Sequence, residues 1–121
     1  MIDAKDLWKT MLEEARMMQT LEPSLRDFLE ARILKKPNFA DALAKNLSSH
    51  FFKITEYDIN FENIFSELLD FDNKIVQCAC RDLQAYLDRD PACDHYVTPL
   101  LFYKGFQALQ LYRICHSLWI R

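Results

Sequence analysis

Apolar residues recur along most of this chain at steps of three and four, the spacing of one face of an α-helix. The first stripe follows Asp3, a good N-cap, and ends near residues 19–22. Its members are Leu7, Trp8, Met11, Leu12, Ala15 and Met18. Pro23 then suits the first position of a second helix, which stops before Pro37. Asn38 caps a third helix, so the first part of the chain is predicted to form three helices.

The middle of the chain interrupts this pattern. The segment FFKITEYDIN, residues 51–60, has the residue types of a short strand, but no partner strand is evident, so we predict a loop. A fourth helix is expected from Asp58 or Asn60, and Asp72 restarts the pattern as a fifth helix. The residues predicted to face inward in these two helices are Ile64, Phe65, Leu68, Leu69, Ile75, Val76, Ala79, Leu83, Tyr86 and Leu87.

The fifth helix is predicted to end at Asp90, because Pro91 disfavours the α conformation in the residue before it. Thr98 and Pro99 then suit the cap and first turn of a sixth helix that runs to Ile120, about 22 residues or roughly 33 Å. Apolar residues surround this helix almost completely. It therefore has to be covered on all sides, and we expect both the preceding helices and another subunit to cover it.

Composition supports a helical fold. The chain has 121 residues, of which 50% are hydrophobic. It has one glycine and four prolines, which are too few turn-forming residues for many hairpins. We predict a single all-α domain over residues 1–121, a bundle of about six helices whose last, long apolar helix occupies residues 98–121.

Charge and cysteine spacing exclude several functions. The net charge is −3 and the basic residues are scattered, which argues against a nucleic-acid or anionic-membrane partner. Polar residues interrupt the apolar stretch 96–119, so a membrane span is not expected, and acidic residues interrupt any signal segment. The four cysteines show no C-x-x-C spacing and are expected to be free thiols. We therefore expect a cytoplasmic protein.

The segment RDPACDHYVTP, residues 89–99, concentrates the candidate chemistry. Asp90, Asp94 and His95 could serve acid–base work or bind a metal, but further ligands are lacking, and each has a structural explanation in a turn or helix end. His116 and His50 are lone histidines without a catalytic constellation. The residues alone therefore predict a helical, oligomerising domain with no metal site and no assigned activity.

The same segment carries a family resemblance. Residues 89–119, RDPACDHYVTPLLFYKGFQALQLYRICHSLW, resemble the join between the helical and catalytic domains of serine O-acetyltransferases, where the pattern is D-P-A-x-D, T-P-L-L, K-G-F-x-A-L-Q-x-Y-R-I and H-x-L-W. The segments LWKTMLEEAR, EPSLRDFL and NFADALAKNL are similar to the first three helices of that family.

This resemblance implies an acyltransferase that moves an acetyl group from acetyl-CoA to the hydroxyl of L-serine, in cysteine biosynthesis. The catalytic histidine and the acetyl-CoA site of the family lie in a left-handed β-helix that residues 1–121 do not contain. No catalytic residue and no cofactor is therefore expected here, and this chain alone is expected to be inactive. Asp90 matches the aspartate that binds the amino group of serine, and Pro91 shapes its loop. L-Cysteine is expected to bind the same pocket as an inhibitor.

The resemblance also implies partners. Family members form trimers through the β-helix and pair two trimers through the helical domains, and their carboxyl-terminal tail binds O-acetylserine sulfhydrylase. Because the apolar pattern still runs at Arg121, we expect a cut chain or one lobe of a longer protein. The alternative is a stand-alone, non-catalytic helical oligomerisation or scaffold module.

Overall fold

The computed structural model describes residues 2–49 and 60–120, and every regular element within these two ranges is helical. The ranges contain seven α-helices: α1 Ala4–Leu21, α2 Arg26–Leu29, α3 Phe39–Ser48, α4 Phe61–Phe71, α5 Asn73–Arg89, α6 Val97–Phe102 and α7 Lys104–Ile120. A 3₁₀ turn, Pro23–Leu25, precedes α2, and a π-helical turn, Glu30–Leu34, follows it. The predicted all-α fold is confirmed.

Side-chain caps begin four of the helices at the predicted residues. The Oδ1 atoms of Asp3 and Asn38 accept the N–H of the residue three positions further on, at 2.9 and 2.8 Å. Asn60 and Asp72 cap α4 and α5 in a similar way. Each cap satisfies a donor that the first helical turn leaves unpaired, which explains why these helix starts could be read from the sequence.

All seven helices contribute to one hydrophobic core. α1 contacts α3, α5 and α6, while α3 packs against α4 and α5 against α7. The largest fully buried side chains are Leu7, Met11, Leu29, Ile33, Phe39, Leu43, Leu47, Leu68, Leu69, Leu83, Leu100 and Phe106. Because α1 also contacts α2 and so packs against four other helices, its position is fixed relative to the loops that contact it.

The prediction of one unbroken helix across residues 98–121 is wrong. The chain turns into extended conformation at Tyr103, with φ −88° and ψ 108°, and this residue separates α6 from α7. The buried side-chain amide of Gln107 donates hydrogen bonds to the carbonyls of Leu100 and Leu101 at 2.9 and 3.2 Å. The break is therefore tolerated because a side chain of α7 satisfies carbonyls that the end of α6 leaves unpaired. Thr98 lies inside α6 and is not its cap.

Two smaller predictions also need correction. The second predicted helix is an α-helix only over α2, because a 3₁₀ turn precedes α2 and a π-helical turn follows it. Ile64 was expected to face inward but is 39% exposed, whereas its neighbour Phe65 is 3% exposed. The loop predicted for residues 51–60 lies almost wholly outside the described residues, of which only Asn60 is described.

Candidate functional site

Asp90 ends α5, as the sequence predicted, and its carboxylate is held in a defined place. Its backbone is extended, with φ −100° and ψ 109°, and its N–H donates to the carbonyl of Tyr86 at 2.9 Å. Asp90 Oδ1 accepts the N–H of Ala92 at 2.9 Å, and the Asp90 carbonyl accepts the N–H of Cys93 at 3.0 Å. These contacts fold Asp90–Cys93 into a tight turn, a usual role for an aspartate before a proline.

A cleft opens beside this turn, between α5 and α7. Its volume is about 520 Å³, and its lining residues are Asp82, Ala85, Tyr86, Arg89, Asp90, Pro91, Phe106 and Leu109. The two predicted site residues, Asp90 and Pro91, thus lie together at one cavity. Within the described part of the chain, Asp90 Oδ2 accepts no hydrogen bond, so this oxygen remains available to a ligand.

Aromatic rings form one wall of the cleft. Tyr86 packs edge-on against Tyr103, with ring centroids 5.3 Å apart, and against Phe106 at 6.4 Å. A Cβ added to Gly105 would lie 3.7 Å from the Tyr86 hydroxyl, which is an ordinary van der Waals distance. The ring of the break residue Tyr103 and the ring of Phe106 on α7 therefore both pack against α5.

A partly buried polar network that sequence reasoning missed includes Asp82, which also lines the cleft. Asp82 Oδ2 accepts hydrogen bonds from Gln110 Nε2 at 2.7 Å and from Arg113 Nη1 at 2.6 Å. Arg113 Nη1 also donates to Gln110 Oε1 at 2.8 Å. Gln110 is fully buried. The available signal was the series of polar residues at steps of three, Gln107, Gln110 and Arg113, between apolar positions of the last helix, because such residues need polar partners once buried.

The remaining candidates of the segment 89–99 are structural. His95 Nδ1 lies 2.7 Å from Asp94 Oδ1 in an exposed pair. The Cys93 thiol is buried against the His95 carbonyl at 3.6 Å and contacts the Tyr103 hydroxyl. Burial raises the pKa of Cys93, and desolvation raises the pKa of Tyr103, so both groups stay protonated near neutral pH.

The described residues contain no group of three or more side chains that could hold a metal ion. His116 stacks on Tyr112, with ring centroids 5.9 Å apart, on the exposed side of α7. His50 lies outside the described residues. The four cysteines are free thiols. None of the described helices is both long and apolar enough to span a membrane.

Glu14 of α1 is a second group that sequence reasoning missed. Its Oε2 and Oε1 atoms accept the backbone N–H groups of Tyr96 and Val97 at 3.1 and 3.2 Å. Burial raises the pKa of Glu14, while these two hydrogen bonds partly oppose the shift. A contact between residues more than eighty positions apart leaves no local pattern in the sequence, so nothing in the chain signalled it.

Comparisons with known proteins identify the family that this chain matches. The model of the family "Serine acetyltransferase, N-terminal" matches residues 7–111. The serine acetyltransferase of Salmonella typhimurium is 40% identical over 113 residues, which cover 93% of this chain and 41% of that enzyme. The Haemophilus influenzae enzyme is 38% identical over 114 residues, which cover 94% of this chain and 43% of its own length. This chain therefore spans less than half the length of these relatives.

Solved structures agree. The Neisseria gonorrhoeae serine acetyltransferase in complex with serine is 36% identical, with a TM-score of 0.86, over 99% of this chain and 48% of that one. A serine acetyltransferase in complex with CoA is 37% identical, with a TM-score of 0.90, over 97% of this chain and 50% of that one. A complex with cysteine is 38% identical, with a TM-score of 0.87, over 94% and 44% of the two chains.

The all-α fold and the matched range are those of the amino-terminal helical domain that this family model describes. The chain belongs to the serine acetyltransferase family, as the resemblance of residues 89–119 indicated.

Proposed function

We propose that this chain is the amino-terminal part of a serine O-acetyltransferase and that Asp90 binds the ammonium group of L-serine. In the overall reaction the serine hydroxyl oxygen forms a new ester bond to the acetyl carbon, the thioester bond of acetyl-CoA breaks, and the hydroxyl proton leaves with CoA as its thiol. The resemblance implies that the catalytic base and the acetyl-CoA site lie in a β-helix that residues 1–121 do not contain. The role proposed for this chain is therefore to bind substrate and to make oligomer contacts, and acetyl-CoA is a co-substrate held elsewhere.

The observation that carries this proposal is the geometry of Asp90. Three main-chain hydrogen bonds fix the residue at the edge of the cleft, and Oδ2 stays open within the described structure. A carboxylate that accepts a hydrogen bond from a substrate ammonium contributes about 1.5–3 kcal/mol, or about tenfold to a hundredfold in affinity. Pro91 restricts the backbone next to Asp90 and so reduces the cost of holding the carboxylate in place.

The same contact explains inhibition by the end product. L-Cysteine carries the same ammonium and carboxylate groups as L-serine and differs only in having a thiol in place of the hydroxyl. Asp90 therefore binds both molecules through the group that they share. Relatives have been solved in complex with serine and in complex with cysteine, so members of this family bind both molecules.

Exposed apolar side chains on α7 support the proposed oligomer contacts, a homohexamer built as a dimer of trimers. Tyr112 is 65% exposed, Trp119 88% and Ile120 68%, although each belongs to an apolar residue type. Large apolar side chains that cluster on one surface are typical of protein–protein contacts. A stand-alone scaffold module would use the same surface. The reading frame of the gene therefore decides between a part of an acetyltransferase and a scaffold module. The proposal requires that it continue past Arg121 into six-residue repeats.

The substrate role is tested by Asp90→Asn in the complete enzyme that carries this chain. We expect the KM for serine to rise by about tenfold or more and cysteine inhibition to weaken in parallel, because both ligands lose a charge-assisted hydrogen bond. Steady-state kinetics with serine and acetyl-CoA measure both effects.

Asp94→Asn is the matched control, because Asp94 lies in the same turn region but its side chain is 82% exposed and pairs with His95. We expect this variant to behave like the wild type. Unchanged serine KM and unchanged cysteine inhibition in Asp90→Asn would refute the role of Asp90.

A further inference from the structure

Glu14 connects the first helix of the chain to the far end of the Asp90 loop. The loop runs from Asp90 to Tyr96, and α6 begins directly after it at Val97. α6 has no side-chain cap of its own. Its first N–H groups are bound instead by the two carboxylate oxygens of Glu14, one oxygen for each N–H. A carboxylate at this position satisfies donors that the start of a helix leaves unpaired.

The helix that carries Glu14 is rigidly anchored. Leu7, Met11 and Ala15, on the same helix, are fully buried in the core. Since Ala15 is the next residue and Met11 lies one turn away, the backbone of Glu14 cannot move without disturbing the core. Glu14 therefore fixes the end of the loop against a helix that is anchored in the core.

A series of hydrogen bonds connects this end of the loop to Asp90. Thr98 N–H donates to the His95 carbonyl at 3.3 Å, and the Cys93 thiol contacts the same carbonyl at 3.6 Å. Cys93 N–H donates to the Asp90 carbonyl at 3.0 Å. The loop is thus tied at one end by α5, at the other by Glu14, and internally by the buried Cys93.

We propose that Glu14 is a positioning residue for serine binding: its carboxylate fixes the Asp90–Tyr96 loop and so holds Asp90 at the cleft that it lines. This inference rests on the proposed role of Asp90. Glu14 touches neither substrate nor reacting atoms and acts through Asp90 alone. A ligand that binds a fixed carboxylate does not have to order the loop first, so its affinity is higher.

The test uses Glu14→Gln in the complete enzyme. Glutamine has the same shape but carries only one acceptor oxygen, so it keeps one of the two hydrogen bonds and places an NH₂ group against the other N–H. We expect the serine KM to rise about two- to tenfold, the range set by the loss of one hydrogen bond, with kcat and the acetyl-CoA KM unchanged. Cysteine inhibition weakens by the same factor.

Two further variants make the outcome decisive. Glu13→Gln is the matched control, because Glu13 is the exposed neighbour on the same helix, and it leaves the serine KM unchanged. In the double variant Glu14→Gln/Asp90→Asn, the serine KM equals that of Asp90→Asn, since Glu14 has nothing left to position. Circular dichroism and thermal unfolding verify that each variant is folded at the assay temperature.

The results separate this inference from the proposed function. If Asp90→Asn raises the serine KM and folded Glu14→Gln does not, Glu14 has only a structural role and the inference is refuted. Equal factors from Glu14→Gln in both backgrounds would also refute it, because Glu14 would then act independently of Asp90. If Asp90→Asn itself has no effect, the proposed role of Asp90 is refuted, and the role of Glu14, which rests on it, is refuted as well.

Discussion

At the scale of single residues, Glu14 shows how burial and hydrogen bonding compete at one carboxylate. Removal from water raises its pKa above the ordinary value of 4.5, and the N–H groups of Tyr96 and Val97 oppose this without cancelling it. His95 and Asp94, the charged groups that face it from the loop, have small effects of opposite sign. The folded protein therefore binds a proton at Glu14 more tightly than the unfolded chain does.

This difference makes stability depend on pH. Between pH 4.5 and the raised pKa the folded state holds more protons at Glu14 than the unfolded state, so the free energy of unfolding falls as pH rises. The stabilising contribution is complete below pH 4.5 and is lost as pH passes the folded pKa. We expect the stability of the wild type minus that of Glu14→Gln to fall over this window. Urea unfolding of this chain at a series of pH values measures it, and a difference that is constant or rises with pH would contradict the assignment.

Asp90 and Glu14 also show what the sequence could and could not predict at this scale. The place of Asp90 at a helix end follows from Pro91, its neighbour, and its role came from the motif of residues 89–119. Tertiary packing brings the tyrosine and phenylalanine rings to the cleft wall. It also brings the carboxylate of Glu14 to the far end of the Asp90 loop. Such contacts join distant parts of the chain and follow no local rule.

At the scale of elements, the starts of α1, α3, α4 and α5 were predictable, whereas the cap of α6 and the break before α7 were not. Asp3, Asn38 and Asp72 cap helices through bonds to residues two or three positions away, so the local sequence contains the whole interaction. The break at Tyr103 depends on Gln107, which must first fold back onto α6. A periodicity argument sees only the apolar stripe that continues across residues 98–121, and therefore predicted a single helix.

The start of α7 offers a test of this backbone account. Gly105 lies within the helix, no described residue has positive φ, and an added Cβ would meet only the Tyr86 hydroxyl at ordinary distance. Gly105→Ala should therefore raise the free energy of unfolding by about 0.4–1 kcal/mol, because alanine loses less conformational entropy on folding. Chemical denaturation of this chain measures the change. Destabilisation would show that the glycine is needed for a closer approach than the described residues make.

At the scale of the whole molecule, α7 has an unusual distribution of polar and apolar residues. Its buried side includes Gln107 and Gln110, whereas Tyr112 and Trp119 are exposed. Gln107 caps the end of α6 and Gln110 binds Asp82, whereas the exposed Tyr112 and Trp119 side chains are available for the oligomer contacts proposed above. The sequence predicted an all-round apolar helix in need of cover, and this exposure supports that expectation.

This chain by itself is predicted to have no acetyltransferase activity. The proposal assigns the serine contact to this chain and the base and the acetyl-CoA site to the rest of the enzyme, so binding and chemistry are expected on different parts of the enzyme. We expect no release of CoA thiol when this chain is mixed with acetyl-CoA and L-serine. A thiol-detection assay with the Salmonella typhimurium relative as positive control checks this, and steady turnover would show that the chain contains a complete active site.

The central claim is that Asp90 binds the ammonium group of the substrate, and one measurement tests it most directly. In the complete enzyme, the binding of L-cysteine is compared with that of 3-mercaptopropionate, which lacks the ammonium group, for the wild type and for Asp90→Asn. We predict that the wild type prefers cysteine strongly and that Asp90→Asn loses about tenfold or more of this preference, the worth of a charge-assisted hydrogen bond. An undiminished preference in Asp90→Asn would contradict the account.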